Sequence, residues 1–452
     1  MKVVFVVGAG PAGLYASQKI ARAGYSVIIL NRDIKPGGLA EYGIYPAKEK
    51  MKGGLRKQFA KILELPQVSY FGHLPVGQGY ALHLDELREL DPAALVFAVG
   101  AQGTKKLGLP GEEARGVYSA KNFVYHYNRL PPFSTQDYST GKRVAIVGMG
   151  NVAVDIARWL LEDDPEHKAE EVTIVARRGP FEAKFDEKEF AHVEQHLDRR
   201  SFQDELERVK DRIAAVGEDI AKVPETTFPI LARPYTEPVK PRLRFRFLCS
   251  PKEIVPSADG RIAKLVVTEN LLVARDGGTA AKATDQTDTL DFDTMIFAIG
   301  DTADPNVGLP FAKDSYVTNP DTTTGEHAAY EVFDSATGKV MTGTFVVGWA
   351  RKASEGLVGV ARFDAEKGAT HILQYLEGAA DRQTATPTEI AKRIERGGRQ
   401  LVDKAGLECL GRAEAAQAQA LGLPSFKFAE DAKMLAAIAE EKRANTPVPA
   451  DD

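Results

Sequence analysis

Residues Val3 to Gly13 read VVFVVGAGPAG, and this stretch decides the fold of the first part of the chain. An apolar run of β-forming residues stops at Gly8, and Gly8, Gly10 and Gly13 then follow the G-x-G-x-x-G spacing. In such a turn the first glycine permits the sharp change of direction, the second lets the backbone approach a pyrophosphate, and the third lets helix and strand pack closely. The stretch therefore predicts a strand–turn–helix unit that holds a dinucleotide at the helix N-terminus.

The length and composition of the chain are those of an ordinary globular protein. It has 452 residues, of which 44% are hydrophobic and 27% charged, enough for about two to three domains. The formal net charge of −5 gives no general attraction to nucleic acid. The two cysteines, Cys249 and Cys409, are far apart and form no C-x-x-C motif. This argues against a redox-active dithiol, a cysteine-ligated cluster and a zinc site, and favours two inert buried thiols.

Nothing in the sequence indicates a membrane protein. No window approaches the roughly 18 continuous apolar residues of a membrane span, and the first strand begins at once, without a basic region ahead of a cleavable apolar segment. We therefore expect a cytoplasmic protein with no membrane span.

The second strand of the first unit, Tyr25 to Leu30, ends at Asn31. In dinucleotide-binding folds this position usually offers Asp or Glu to a ribose hydroxyl. An amide can still form a hydrogen bond with a hydroxyl, but without the strength that a negative charge adds. Asn31 is therefore either a ribose ligand or a plain turn residue.

The opening pattern recurs in the middle of the chain. Arg143 to Val147 reads as a strand, GMGNVA follows at Gly148 to Ala153, and Val154 to Leu161 reads as a helix that leads to a strand at Val172 to Ala176. This predicts a second nucleotide-binding unit, with Ala153 in place of the third glycine.

Arg177 and Arg178 follow the closing strand of this second unit, where an NAD site would carry an acidic residue. A planar guanidinium suits a 2′-phosphate, because it pairs with phosphate oxygens in two directions. The alternative is a solvated basic turn. We expect NADP rather than NAD.

Two further apolar strands, Ala94 to Gly100 and Asp291 to Gly300, both end in glycine. A strand end of this kind can bring backbone close to a cofactor, or it can simply turn the chain. The similarity of the two stretches indicates that the chain returns to the first domain after the second unit. Beyond Gly378 the sequence is rich in Ala, Glu, Lys and Gln and reads as helices.

These elements predict an α/β fold of two Rossmann-like dinucleotide-binding domains, the second inserted into the first, with a helical C-terminal extension. We place the first domain at residues 1–138 and 295–378, the second at residues 139–294, and the extension at residues 379–452.

Six stretches together carry a family resemblance over nearly the whole chain. They are GAGPAG at 8–13, GGLAEYGIYP at 37–46, GMGNVAVDIAR at 148–158, ARRGPFEAKF at 176–185, FRFLCSPKEI at 245–254 and GWARKASEGLVG at 348–359. With them the chain resembles the adrenodoxin-reductase-like ferredoxin–NADP reductases and, more distantly, the small subunit of glutamate synthase. The last three stretches are not general features of flavoproteins with two dinucleotide sites.

The resemblance implies that FAD lies along the first glycine turn, with Trp349 beside the isoalloxazine ring. The FAD-binding residues that it implies are Gly8, Gly10, Pro11, Ala12, Gly13, Asn31, Gly38, Leu39, Val76, Gly100, Trp349, Gly356, Leu357 and Val358.

The resemblance also implies that NADP lies across the second glycine turn. The residues that it implies are Gly148, Gly150, Asn151, Val152, Ala153, Val154, Arg177, Arg178, Glu189 and Gly356. Asp155 matches a family acid placed near the nicotinamide and the flavin, and with Trp349 it is the candidate catalytic residue.

The chain departs from the family pattern near the flavin. Glu41 stands where the family has Arg after Leu-Val, and Lys48 replaces a histidine linked to proton or electron handling. Asn31 replaces a ribose-binding glutamate, and Glu355 lies where Thr or Ser is usual. These changes bear on the partner and on the tuning of the flavin more than on hydride transfer.

A basic stripe occurs in the predicted second domain. Arg242, Arg244 and Arg246 fall on one face of a strand, with Phe245 and Phe247 on the other. The stripe is either the solvated face of a sheet or a docking surface for an acidic electron carrier.

The function that the resemblance implies is transfer of a hydride from NADPH to FAD and then of single electrons to a ferredoxin or similar small acidic carrier, or the reverse. One alternative is an electron-input subunit of a larger complex, like the glutamate synthase small subunit, although the cysteine-rich cluster region of that subunit is missing here. Another is a flavoprotein that binds nucleotides with little turnover. No nucleic-acid partner is expected, and the sequence leaves the oligomeric state open.

Overall fold

The computed structural model describes residues 2–80, 82–321, 329–352, 358–382, 384–396, 398 and 400–444. The chain forms two compact units. The first unit comprises Met1–Thr104, Tyr125–Gln136 and Gly300–Asp452, and the second comprises Lys105–Val124 and Asp137–Ile299. Residues 105–124 thus belong to the second unit, and the C-terminal helices belong to the first.

The strands and helices alternate along much of the chain, as the α/β prediction requires. The strands are β1 Val3–Val7, β2 Ser26–Leu30, β3 Val68–Phe71, β4 Ala94–Phe97, β5 Gly103–Thr104, β6 Val117–Ser119, β7 Arg143–Val147, β8 Glu171–Val175, β9 Arg242–Arg246, β10 Cys249–Pro256, β11 Ile262–Arg275, β12 Gly278–Asp291, β13 Thr294–Phe297, β14 Asp301–Thr302, β15 Phe311–Ala312, β16 Ser315–Tyr316, β17 Glu331–Asp334 and β18 Lys339–Val346. The helices are α1 Pro11–Arg22, α2 Leu39–Tyr42, α3 Glu49–Leu63, α4 Leu84–Glu89, α5 Ala120–Tyr127, α6 Asn151–Arg158, α7 Glu187–Phe190, α8 Arg199–Ala214, α9 Val223–Thr226, α10 Val358–Gly378, α11 Pro387–Arg396, α12 Lys404–Ala420 and α13 Asp431–Ala444.

The first unit is built on a sheet with strand order β17-β18-β4-β1-β2-β3. Its strands run parallel except β17, which is antiparallel to β18. All five residues of β1 are buried, and one hydrophobic cluster lies on each face of the sheet. The continuous apolar run therefore forms a central strand that is covered on both sides, as parallel sheets require.

The turn after β1 depends on close packing at two glycines. Gly8 has a φ of +105°, and a Cβ there would lie 2.6 Å from the carbonyl oxygen of Ala98. A Cβ at Gly13 would lie only 1.9 Å from the carbonyl oxygen of Gly8. These distances confirm the packing roles that the glycine spacing predicts, because no larger residue fits without displacement of backbone.

The second unit repeats this construction. Its parallel sheet has the order β6-β13-β7-β8-β9. Gly148 has a φ of +125°, and a Cβ there would lie 2.2 Å from the carbonyl oxygen of Ala298. A separate antiparallel sheet, β10-β11-β12, carries the two long strands of the unit. The prediction of two Rossmann-like domains with a helical C-terminal region is confirmed.

The C-terminal helices α12 and α13 pack on the loop that follows β2. Ile34 of that loop shares a buried cluster with Cys409 and Leu410 of α12 and with Met434 and Ile438 of α13. Gly72 and Val402 also exchange two backbone hydrogen bonds, of 2.8 and 3.0 Å. The extension is therefore packed into the first unit.

Within the described part of the chain, no helix combines the length and the apolar character that crossing a membrane would need.

Replacing Gly13 with Ala should lower the free energy of unfolding by about 2–3 kcal/mol, because the new methyl must displace the carbonyl of Gly8. Gly54→Ala is the matched control: in α3 an added Cβ meets nothing within 4 Å, and we expect a gain of about 0.5–1 kcal/mol. Urea unfolding measures the free energy of unfolding of both variants. A Gly13→Ala protein as stable as the control would contradict the packing account.

Candidate functional site

A cleft opens in the first unit where β1 and β4 end. In open parallel sheets this is the edge at which ligands bind. The predicted FAD residues that line it are Gly8, Gly10, Pro11, Ala12, Asn31, Gly38, Leu39, Val76, Gly100 and Trp349. Gly13 lies behind the turn, packed on Gly8. Gly356 and Leu357 lie outside the described residues, and Val358 begins α10.

The N-terminus of α1 is open to this cleft. Gly10 is the N-cap residue, with no side-chain cap and no acidic residue in the first turn. A Cβ built on Gly10 would meet nothing within 4 Å, whereas one on Gly38 would lie 3.1 Å from the Cα of Gly10. The backbone on both sides of this space thus fits a pyrophosphate, which helix N-termini bind through amide groups and the helix dipole.

Trp349 offers a second test of whether a cofactor fits. It lies in a short 3₁₀ turn, Gly348–Ala350, and lines the cleft. Its Nε1 is buried and has no hydrogen-bond partner among the described residues. Because a buried donor without an acceptor is costly, this indole N–H fits a site whose acceptor comes from a bound molecule.

Asn31 is buried, and both polar atoms of its side chain form hydrogen bonds with the protein. Its Oδ1 accepts a hydrogen bond from the backbone N–H of Ala9 at 2.9 Å. Its Nδ2 donates to the carbonyls of Asp33 at 2.8 Å and Lys35 at 3.1 Å, and lies 3.2 Å from the hydroxyl of Tyr70. The amide thus fastens the glycine turn to the loop after β2. The contact of Asn31 with a ribose stays a prediction. For it the side chain has the second lone pair of Oδ1, which could accept a hydrogen bond from a ribose hydroxyl.

Arg32 is a charged residue of the cleft that was not predicted from the sequence as a site residue. Its guanidinium forms two bonds with the carboxylate of Asp33, at 2.8 and 3.3 Å, and donates to Gln102 at 3.0 Å. Tyr125 donates to the same oxygen of Gln102 at 3.1 Å. Burial would lower the pKa of Arg32, but Asp33 outweighs it and raises the pKa. A fixed cation therefore stands at the cleft.

Other residues that line the cleft were not predicted from the sequence either. They include Asp33, Leu74, Tyr80, Gln102, Asp304, Val307 and Ala361. Arg32 and Asp33 could have been found, since they follow directly after a predicted strand. The others come from loops and helices whose approach to the cleft depends on the tertiary fold.

Glu41, which departs from the family pattern, lies beside this cleft with 3% of its side chain exposed. Arg56 donates two hydrogen bonds to its carboxylate, at 2.7 and 3.0 Å, and Lys427 lies 2.7 Å from Oε1. Burial would raise the pKa of Glu41, but Arg56 and Lys427 outweigh it and lower the pKa to about 2. The carboxylate stays charged, as paired buried acids do. Lys48, the other departure, is the N-cap residue of α3.

The glycine turn of the second unit is open in the same way as the first. A Cβ on Gly150 would meet nothing within 4 Å, and α6 begins after it without a side-chain cap or an acidic residue in its first turn. Asn151 accepts from the backbone N–H of Asp186 at 2.7 Å and donates to its carboxylate at 3.3 Å. This helix N-terminus also suits a phosphate.

The other predicted NADP residues differ in exposure. Ala153 and Val154 are buried against the sheet, whereas Val152 is about half exposed. Asp155 lies in α6 and Glu189 in α7, each half-buried and each with partners. The tight packing of Ala153 explains why a small residue replaces the third glycine.

Arg177 and Arg178 follow β8, at the edge where the glycine turn lies. Arg177 is exposed and Arg178 is half-buried. The guanidinium of Arg178 lies 3.5 Å from the carbonyl oxygen of Thr279, and Asn270 donates to the carbonyl oxygen of Arg177 at 2.9 Å. The backbone of the pair is thus fixed, and the charged group of Arg177 lies at the surface.

The basic stripe of β9 takes part in ion pairs, which favours its interpretation as the face of a sheet over a docking surface. Arg244 pairs with Glu171 at 2.7 Å, and Arg246 with Asp288 at 2.6 Å. Arg242 lies 3.6 Å from the carboxylate of Asp198, which also pairs with Arg244. Arg246 pairs in addition with Glu205 and Glu269. Because these carboxylates neutralise the stripe, it lacks the excess positive charge that docking of an acidic carrier would use.

Both cysteines are free and buried. Burial raises the pKa of the Cys249 thiol to about 11, although neighbouring arginines oppose the shift. A reactive thiolate is therefore disfavoured at Cys249. Among the described residues, no group of His, Cys, Asp and Glu is arranged to hold a metal ion.

Comparison with known proteins places this chain among flavin-linked reductases. Residues 2–227 match the family described as "Pyridine nucleotide-disulphide oxidoreductase". The chain is 30% identical to "NADPH-ferredoxin reductase FprA" of Mycobacterium leprae over 96% of this chain and 97% of that protein. It is 28% identical to the human mitochondrial "NADPH:adrenodoxin oxidoreductase", over 96% and 91% of the two chains.

The fold is also similar to a solved structure. "Mycobacterium tuberculosis FprA in complex with NADPH" superposes with a TM-score of 0.79 at 28% identity, covering 97% of this chain and 99% of that one. The likeness extends over both units and the C-terminal helices.

The depressed pKa of Glu41 makes a prediction about stability and pH. Because the pKa is about 2 in the folded protein and 4.5 without the fold, the contribution of Glu41 is complete above pH 4.5 and lost as the pH falls toward 2. Wild type and Glu41→Gln differ in their free energy of unfolding. As the pH falls from about 5 to about 3, this difference should become smaller by about 2 kcal/mol.

Urea unfolding across this pH range measures this difference. Glu49→Gln is the control, since Glu49 pairs with the same Arg56 but is 43% exposed, and its difference from wild type should stay nearly constant. If the difference in free energy of unfolding between wild type and Glu41→Gln does not change with pH, the account of Glu41 as a buried ion-pair partner is wrong.

Proposed function

Because the chain belongs to the pyridine nucleotide-disulphide oxidoreductases and, within them, to the adrenodoxin-reductase-like ferredoxin–NADP reductases, we propose that it oxidises NADPH and passes the electrons singly to a ferredoxin-type protein. The enzyme is an oxidoreductase that works with FAD and NADP(H). The physiological direction can also be the reverse, since the same groups serve both. The cytoplasmic location stays a prediction.

One observation supports the assignment of the two cofactors most strongly. Both units present an uncapped helix N-terminus above a glycine turn, but the residues after the next strand differ. The first unit has the amide of Asn31, whereas the second has Arg177 and Arg178. Paired guanidiniums suit the 2′-phosphate that distinguishes NADPH from NADH, so NADP belongs to the second unit and FAD to the first.

FAD, when bound, accepts two electrons from a nicotinamide and releases them one at a time. In our proposal the backbone of Gly10 and Ala12 binds its pyrophosphate, and Arg32 supplies a fixed positive charge along the same cleft. Trp349 borders the ring system and excludes water from it. The family resemblance also implies contacts from Gly356, Leu357 and Val358 at the flavin end.

In our proposal NADP binds at the N-terminus of α6. The backbone of Asn151 to Val154 binds the pyrophosphate, and the carboxylate of Glu189 and the two arginines surround the adenosine phosphate. Asp155 lies one turn along the same helix, and we assign it a place near the nicotinamide, where it would help to position the ring.

The electrons leave this protein by a route other than a dithiol. Cys249 and Cys409 are unpaired and buried, and they belong to different units. A one-electron protein carrier suits a flavin fed by NADPH, and the names of the relatives agree with it.

An assay with a ferredoxin tests the proposal. The purified flavoprotein, NADPH and a [2Fe–2S] ferredoxin should reduce cytochrome c at a rate that depends on the ferredoxin. A chain that does this alone contradicts the complex-subunit alternative. Reduction of artificial dyes without any ferredoxin-dependent rate would remove the acceptor that we propose, and no NADPH oxidation at all would support the low-turnover alternative.

Arginine substitutions test the nicotinamide site separately. Arg177→Ala and Arg178→Ala should each raise the KM for NADPH about tenfold, the effect of losing a hydrogen bond to a charged group. The KM for NADH should stay nearly unchanged. Arg200→Ala is the control and should change neither, because Arg200 is an arginine of the same unit that is 72% exposed and pairs with Glu237. Equal losses with both nucleotides would remove the phosphate role of the pair.

A further inference from the structure

Lys427 is a buried lysine in the segment between α12 and α13, far along the chain from the glycine turn. Its side chain is 14% exposed, and its ammonium lies 2.7 Å from Oε1 of Glu41. It also lies 3.2 Å from the carbonyl oxygen of Glu41 and 3.4 Å from that of Asn128. The ammonium sits 4.7 Å from the centre of the Tyr42 ring. One side chain thus contacts both the backbone and the side chains of α2.

The helix α2 forms a wall of the proposed cofactor cleft. Gly38 and Leu39 line the cleft, and a Cβ on Gly38 would lie 3.1 Å from the Cα of Gly10. Glu41 and Tyr42 of this short helix are buried, and Tyr42 shares a buried cluster with Tyr125 and Leu130, against which Leu39 packs. A helix of one turn has little stability of its own, so its position depends on the contacts that these buried residues make.

The segment that carries Lys427 is itself fastened in place. Glu414 of α12 accepts from the ammonium of Lys35 at 2.5 Å and from the backbone N–H of Phe428 at 3.3 Å. Ser134 donates a hydrogen bond to the carbonyl oxygen of Ala429. Lys427 therefore approaches α2 from a rigid support, which is what a positioning contact requires.

The charges explain why Lys427 matters although Arg56 already pairs with Glu41. Both cations bond the same carboxylate, which is 3% exposed. Removal of Lys427 leaves the carboxylate of Glu41 with Arg56 as its remaining partner in this pair of cations, at a place where 3% of the side chain is exposed to water. The chain would then gain by moving α2 outward, so that water reaches Glu41.

We propose that Lys427 is a positioning residue for the cofactor-binding wall: through Glu41 and Tyr42 it holds α2 in the arrangement that receives FAD. Cofactor affinity is then set in part by the C-terminal segment, outside both glycine motifs. The inference rests on the FAD site proposed above.

The test measures FAD binding to apoprotein by quenching of flavin fluorescence. Lys427→Met should raise the Kd for FAD about tenfold, because binding must then also order α2. Lys427→Arg keeps the positive charge but brings a larger, planar head group into the same space, so its Kd should lie between those of wild type and Lys427→Met. Lys433→Met is the matched control, since Lys433 is 63% exposed and pairs with Glu430, which directly precedes α13, and its Kd should equal that of wild type.

Hydrogen exchange in the apoprotein gives a second readout that does not depend on activity. The amides of residues 39–43 should exchange faster in Lys427→Met than in wild type, while those of β1 stay protected. If Lys427→Met does not fold, Glu41→Gln removes the negative charge that Lys427 and Arg56 share and should also weaken FAD binding.

Two outcomes separate this inference from the proposed function. A Lys427→Met protein with the Kd and the exchange rates of wild type would overturn the positioning role while leaving the reductase assignment intact. A wild-type protein that binds no FAD would overturn both.

Discussion

The close approach between the first glycine turn and the neighbouring strand is the constraint on which the first unit depends. With only a hydrogen atom at Gly8 and Gly13, β1, β4 and α1 meet at distances that any side chain would prevent. The same contact recurs between Gly148 and the end of β13. In both units this packing brings a helix N-terminus to the edge of a parallel sheet, where phosphate binding needs little beyond backbone amides.

Charge then distinguishes two sites of the same construction. In the first unit an amide, Asn31, fastens the turn, and Arg32 is held by Asp33 at the cleft. In the second unit the guanidinium of Arg177 lies at the surface after the corresponding strand. In our proposal this difference makes the first cleft the site of the resident FAD and the open edge of the second unit the site of NADP(H).

Much of this could be predicted from the sequence, because the glycine spacing and the buried strands are local signals. The sequence could not reveal the state of the charged residues. The arginines of β9 read as an exposed stripe, yet their carboxylate partners come from positions as distant in sequence as Glu171 and Asp288. Glu41 reads as an isolated departure, although its partner Lys427 lies 386 positions later. Ion pairs of this kind depend on tertiary structure and leave no periodic pattern.

The most direct test of the account is an anaerobic titration of the purified flavoprotein with each nicotinamide nucleotide, followed by its visible absorption. The account predicts that NADPH bleaches the flavin rapidly and close to stoichiometrically, whereas NADH at the same concentration does so far more slowly. A flavin that NADPH fails to bleach, or that both nucleotides bleach equally well, would contradict it.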